Sequence, residues 1–285
     1  RGKADEERWR QEALLHAARC GNFKKTVDSV DGGADVHGKT LRGQTALMLC
    51  AASHSSGTLE TVKFLLATKA LVGARDDLGW TPLLHACRNS QRGSAALLLE
   101  KAASLEDRAE DGKTAAILAA IDGCDNLVMD LLGRKAPVEE VDRKGYSLLA
   151  HACEEGHRAL VRQLLKWHAD PSTRAKDKTT PLMIAARKGD VAIGEMLFKK
   201  RASLNSRNSL GDSALLVSLK ACKEAFALWL VDMGADVKVE NKAHQDARSL
   251  SAAPELMAVK NHLDTKLRVG HHEDVATGEN QLGFD

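Results

Sequence analysis

Apolar residues recur along this chain in short paired bursts. Leu182, Ile184, Ala185 and Ala186 line one short helix, and Ile193, Met196, Leu197 and Phe198 line a second, with helical spacing. The stretch Gly79–Asp111 shows the same order: a Gly, a Thr-Pro-Leu step, a short apolar helix, a polar turn, a Leu-rich helix and a small-residue stop. The order then starts again at Gly112. Thr or Ser opens the first helix of each pair, where its hydroxyl can satisfy a free N–H. Pro at the first helical position has no N–H to waste. Gly123, Gly156 and Gly189 fall between paired helices, where a positive φ is easiest for Gly. One such unit cannot bury its own apolar face, so it has to stack on copies of itself.

The spacing fixes the copies. Gly43, Gly79, Gly112, Gly145 and Gly211 anchor the units, with Lys178 in the same slot. The steps 79 to 112, 112 to 145, 145 to 178 and 178 to 211 are each 33 residues; 43 to 79 is 36, with the extra residues around 53–57. The pattern predicts a polar lead helix at 1–12, a degenerate N-terminal capping unit at 13–42 and units at 43–78, 79–111, 112–144, 145–177, 178–210 and 211–243. A C-terminal cap at 244–269 follows, and then a flexible or partner-bound tail at 270–285.

These segments resemble ankyrin repeats, whose period is about 33 residues and whose signature is T-P-L-H-x-A. Thr81-Pro82-Leu83 and Thr180-Pro181-Leu182 carry the start of that signature. Thr45-Ala46-Leu47, Thr114-Ala115-Ala116, Ser147-Leu148-Leu149 and Ser213-Ala214-Leu215 are weaker copies. The Gly-Ala-Asp-Val endings at 33–36 and 234–237 match the loop of the family. The resemblance covers roughly residues 13–265 and implies an all-α ankyrin-repeat solenoid of helix-turn-helix units with hairpin-like loops. It also implies a non-catalytic scaffold that binds a protein or peptide along a concave face.

Composition adds boundaries. Aromatics are only 4%, which suits thin cores of Leu, Ala and Val between small helices. A formal charge of +2 gives no basic field for nucleic acid. No apolar run approaches the ~18–20 residues that span a bilayer. Six cysteines, one per unit and none in C-x-x-C, read as small buried hydrophobes of a reducing compartment. An intracellular, cytoplasmic setting is expected; the Arg1 start, in place of Met, leaves an organellar one open.

Candidate chemistry is sparse. His16, His85 and His151 share one slot on alternate units, so they would stand roughly 16–20 Å apart given helix spacings of ~8–10 Å. One zinc needs ligands at ~2 Å. His271-His272-Glu273-Asp274 reads as a solvated polar tail. There is no phosphate loop, nucleophile elbow or H-E-x-x-H. No catalytic residue, cofactor or metal is expected.

The informative positions are the hairpin tips and the ends of the inner helices, which the family uses for partners. The slot before Thr or Ser holds Trp80, Lys113 and Tyr146; Trp and Tyr are enriched in interface hot spots. Trp80 either meets a partner or packs on a neighbouring hairpin. Around it, Asp77, Leu78, Glu110 and Asp111 precede Arg143, Lys144 and Lys176, an acidic stretch followed by a basic one. Arg88, Glu155 and Arg187 stand at inner-helix ends. A free adaptor and a structural subunit of a large assembly both fit; the alternative is a targeting or regulatory arm of an enzyme whose catalytic domain is absent here.

Overall fold

The computed structural model describes residues 3–265. The tail expected at 270–285, with its His-His-Glu-Asp run, lies outside them. Contacts divide the chain into two units, residues 1–151 and 152–285, with the break inside one helix.

The first unit is built from α1 (Lys3–Arg19), α2 (Phe23–Asp31), α3 (Ala46–Ala51), α4 (Thr58–Ala67), α5 (Pro82–Arg88), α6 (Arg92–Glu100), α7 (Ala115–Ile121) and α8 (Asp125–Gly133), and enters α9 (Leu148–Glu154). First helices stack on first helices: α1 on α3, α3 on α5, α5 on α7. Second helices do the same, α2 on α4 and α4 on α6. Two of the short first helices are buried nearly all round: every residue of α3 is buried, and so is every residue of α7 except its last. Ala at the contact points lets the short helices approach closely, and Leu47, Leu84, Leu98, Ile117 and Leu131 fill the layers between them. Each fully buried Leu or Ile contributes about 1.5–3 kcal/mol against exposure. The lead segment expected at 1–12 and the helix that follows it run on as one continuous helix, α1, across residues 12 and 13, and its Trp9 is 69% exposed.

The second unit continues with α10 (Arg158–Lys166), α11 (Pro181–Lys188), α12 (Val191–Lys199), α13 (Ala214–Lys220), α14 (Glu224–Asp232) and α15 (Ala247–Leu250). A 3-10 turn at Pro254–Leu256 and a helix at 257–265 follow. Here α11 packs on α13 and α13 on α15, while α10, α12 and α14 stack in the other row. Phe226 is fully buried; Trp229 sets its ring edge-on to Phe226 at 5.2 Å and to Phe198 at 6.2 Å. Gly194 makes room for them, since a Cβ there would stand 2.8 Å from the Phe226 ring and 2.9 Å from that of Trp229.

The capping chemistry follows the sequence. Thr81 Oγ1 accepts from the Leu84 N–H at 3.4 Å, Thr180 from Met183 at 3.3 Å and Ser147 from Ala150 at 3.2 Å. Pro82 and Pro181 open their helices. Two isolated antiparallel bridges, Lys39–Thr45 and Val141–Ser147, close hairpins, and no strand forms among the described residues. Cys50, Cys87 and Cys153 are buried as expected. Cys20 and Cys222 are exposed, against the expectation, because they sit where helices end and turn: Cys222 itself adopts φ 52°.

Candidate functional site

Each hairpin tip described below is organised by a polar side chain at or near its start. In the first unit Asp76 Oδ1 accepts from the N–H groups of Leu78 (3.0 Å) and Trp80 (2.8 Å), while Oδ2 lies 2.8 Å from His85 Nε2. Asp142 repeats this one for one, with Lys144 (2.8 Å), Tyr146 (2.9 Å) and His151 Nε2 (3.1 Å). Both carboxylates are almost fully buried. In the second unit Asn208 and Asn241 accept from the same two amides of their own hairpins. Where the slot holds Ala109 or Ala175, the tip aspartate two residues on takes over: Asp111 accepts from Lys113 N–H and Asp177 from Thr179 N–H.

The aromatics rest on these brackets. Trp80 tilts against His85 with ring centroids 5.3 Å apart, and Tyr146 against His151 at 6.0 Å. Trp80 therefore packs on a histidine of its own repeat, held in place by Asp76, and keeps part of its surface open. His85 and His151 are thus tip supports, each paired with its own aspartate. The thiols two residues on, Cys87 and Cys153, are pushed well above the ordinary range by burial, which keeps them protonated and non-nucleophilic.

Successive tips are tied backbone to backbone. Asp77 N–H donates to Arg42 C=O, Glu110 to Leu78 and Arg143 to Asp111 in the first unit; Ser209 donates to Asp177 and Lys242 to Leu210 in the second. Gly112 is needed at this seam: its φ is +81°, and a Cβ would stand 2.6 Å from the Arg143 nitrogen. Arginines four positions before the tip glycines Gly79 and Gly112 add a second tie, and Val141 takes that position before Gly145. Arg75 donates to Gly79 C=O (3.0 Å) and Arg108 C=O (3.1 Å), and Arg108 to Gly112 C=O (3.0 Å) and Val141 C=O (2.8 Å). Sequence reasoning missed these arginines and the bracketing aspartates. The signal was there: Arg75 and Arg108 recur at the repeat interval, as do Arg174 and Arg207.

The nominated partner residues divide in two. Several are spent on neighbours: Arg88 lies 3.5 Å from Asp122, Lys113 2.5 Å from Asp111, and Arg187 donates to Glu154. Burial pushes Asp111 up, but the hydrogen bonds from Lys113 outweigh it and hold the carboxyl below the usual range. Glu154 behaves alike, with Arg187 and Lys188 outweighing its burial. The others face solvent without an ion-pair partner among the described residues: Asp77, Glu110, Arg143 and Lys144 in the first unit, Glu155 and Lys176 in the second. Leu78 is 59% exposed and Leu41, on the preceding tip, fully so. Among the described residues no group of three or more His, Cys, Asp or Glu is placed to hold a metal ion, and no helix is long and apolar enough to cross a membrane.

Comparison with known proteins agrees with this geometry. The family model described as ankyrin repeats (3 copies) matches residues 14–109, 102–175 and 167–241. The chain belongs to the ankyrin-repeat family, a class of protein–protein interaction modules. Among its relatives, the neurogenic locus notch homolog protein 1 of Homo sapiens is 33% identical over 160 residues, 55% of this chain and 6% of that protein. The ankyrin repeat and KH domain-containing protein mask-1 of Caenorhabditis elegans is 32% identical over 230 residues, 78% of this chain and 8% of that protein. The chain thus spans a small fraction of the length of these curated relatives. The crystal structure of the human ASB11 ankyrin repeat domain superposes with a TM-score of 0.69 at 26% identity, covering 76% of this chain and 96% of that one.

Proposed function

We infer that the chain is a non-catalytic scaffold that holds a protein partner on the hairpin tips of its first unit, along the concave side of its stacked repeats. The observation that carries this reading is the rigid tip at residues 76–80. An indole held by a buried Asp–His pair stands beside an exposed Leu78, with Leu41 exposed on the tip tied next to it. A preorganised aromatic flanked by apolar surface loses little entropy on binding and has the composition of a hot spot. Unpaired Asp77 and Glu110 precede unpaired Arg143 and Lys144, so the partner surface is polar, with basic groups opposite the first pair and acidic groups opposite the second. Salt then slows association.

Quantitative capture compares the native chain with the Trp80→Ala/Tyr146→Ala pair. The partner enriched by the native chain is lost from the double variant; equal recovery from both would overturn the assignment of this face. The six free thiols suit a reducing, intracellular compartment. A second reading, a targeting or regulatory arm of a multidomain enzyme, draws on the length of the relatives, of which this chain covers 6% and 8%.

A further inference from the structure

Two arginines that tie the hairpins of the first unit, Arg75 and Arg108, are neutralised by a carboxylate, whereas their counterparts in the second unit, Arg174 and Arg207, are not. Arg75 pairs with Asp107 at 2.5 Å and Arg108 with Glu140 at 3.0 Å, in each case a carboxylate 32 residues on. The same offset leads from Arg174 to Ser206, which accepts only a 3.3 Å hydrogen bond, and from Arg207 to Val239, which accepts nothing. Two acids have become a hydroxyl and an alkyl group. Around the pair a cleft of about 590 Å³ opens, lined also by Lys178 and Lys242 and by no carboxylate. None of the four cations has an ion-pair partner among the described residues. Acids close to them in sequence are engaged elsewhere: Asp177 with Thr179, Asp212 with Lys220 and Asn241, Glu240 with His244.

Like His244, Lys178 puts a side chain in the tip slot that holds Gly at 43, 79, 112, 145 and 211, and it adopts the same left-handed backbone, φ 63°. A long side chain is strained there and gives the hairpin nothing that Gly does not. What it adds is an ammonium group in the cleft. Four cations without counter-charge repel one another, and a bound oxyanion relieves that repulsion. A phosphate monoester carries about −1.5 to −2 charges on three terminal oxygens, which suits two ammonium groups, the Arg174 guanidinium and the N–H groups that Arg207 has left after donating to Gly211 C=O and Glu240 C=O. A phosphodiester offers a single charge per group, and the near-neutral chain has no basic track to follow a strand.

We propose that Arg174, Lys178, Arg207 and Lys242 form a binding site for a phosphate monoester, presented by a phosphorylated side chain of a protein partner. That the carrier is a protein rests on the reading of the chain as an interaction module; the phosphate site itself does not.

The test uses the full chain, with amide chemical shifts followed by NMR at fixed ionic strength. Inorganic phosphate and N-acetyl-phosphoserine amide shift the amides of 174–178, 205–211 and 242 saturably, and N-acetyl-serine amide does not. Lys178→Gly, which restores the residue of the other tips and so keeps the fold, weakens phosphoserine binding about tenfold, the equivalent of one charge-assisted hydrogen bond. Arg174→Gln does likewise, while Arg75→Gln in the first unit leaves binding unchanged. Equal affinity in native chain and Lys178→Gly, or no saturable shift with either phosphate probe, sinks the site. Tighter binding of a single-stranded oligonucleotide with a steep salt slope replaces the monoester by a nucleic-acid backbone. Loss of partner capture through Trp80 is a separate result at the other unit, so either reading can fail alone.

Discussion

Replacing Asp76 by alanine takes away three hydrogen-bond partners at once. Its carboxylate is 4% exposed and accepts from Leu78 N–H, Trp80 N–H and, across the hairpin, His85 Nε2. Bonds to a charged acceptor contribute about 1.5–3 kcal/mol each, and a buried donor left unpaired costs about 1–3 kcal/mol. Leu78 is exposed, so its amide can turn to water and adds little. The Trp80 amide and the His85 ring remain, and their loss sums to about 3 kcal/mol. The hairpin does not open fully, because Asp76 N–H still donates to Trp80 C=O and Gly79 N–H to Asp76 C=O. Asp76→Asn keeps an acceptor for both amides, as Asn208 does natively in the second unit, and costs about 1 kcal/mol. Urea unfolding followed by far-UV circular dichroism ranks the variants native, Asn, Ala. Hydrogen exchange localises the change to the Trp80 amide, a readout that survives if the array does not unfold in one step. Asn and Ala variants within about 0.5 kcal/mol of each other, with Trp80 exchange unaltered, would falsify the bracket as the support of the tip.

Three further outcomes are expected. Native-state thiol labelling near neutral pH modifies Cys20 and Cys222 quickly and spares Cys50, Cys87 and Cys153, since burial has pushed the Cys50 thiol up to about 12 and the other two higher; fast labelling of all six would show that the layers are open. The Glu154 carboxyl is lowered in the folded chain, so its contribution is full above the ordinary glutamate value of about 4.3 and is lost as pH falls through the lower folded value. Arg187→Gln therefore flattens the acid limb of a stability–pH curve, and an unchanged limb would remove that pair from the account. Gly194→Ala drives a methyl into the Phe226 and Trp229 rings and destabilises the second unit by about 1–3 kcal/mol in thermal unfolding, whereas a stabilised variant would mean the aromatic pair shifts freely.

The fold was legible because its determinants are local and repeated. Thr-Pro at a helix start, Gly at a left-handed turn and apolar residues at helical spacing each act within a few residues, and stacking multiplies the same message at every copy. The all-α repeat class and the burial of Leu84, Leu98 and Ile117 are set at that level. The candidate site was legible only as a row of positions. Trp80 and Tyr146 stand out by residue type, yet nothing local says that each leans on a histidine five residues on, because that contact needs the hairpin and the inner helix folded together.

Charge was the least readable feature. Arg88 and Arg187 look like free groups in the sequence, but packing sets a carboxylate of a neighbouring element beside each: Asp122 for Arg88 and Glu154 for Arg187. Lys176, Arg143 and Lys144 look the same in the sequence and stay unpaired. The sequence by itself determined the repeat and its buried faces, since these follow from steric and hydrogen-bonding preferences that every copy obeys. Only the tertiary structure decided which charges face solvent and which face a neighbour, because an ion pair 33 or 34 residues apart exists only once one repeat is laid against the next.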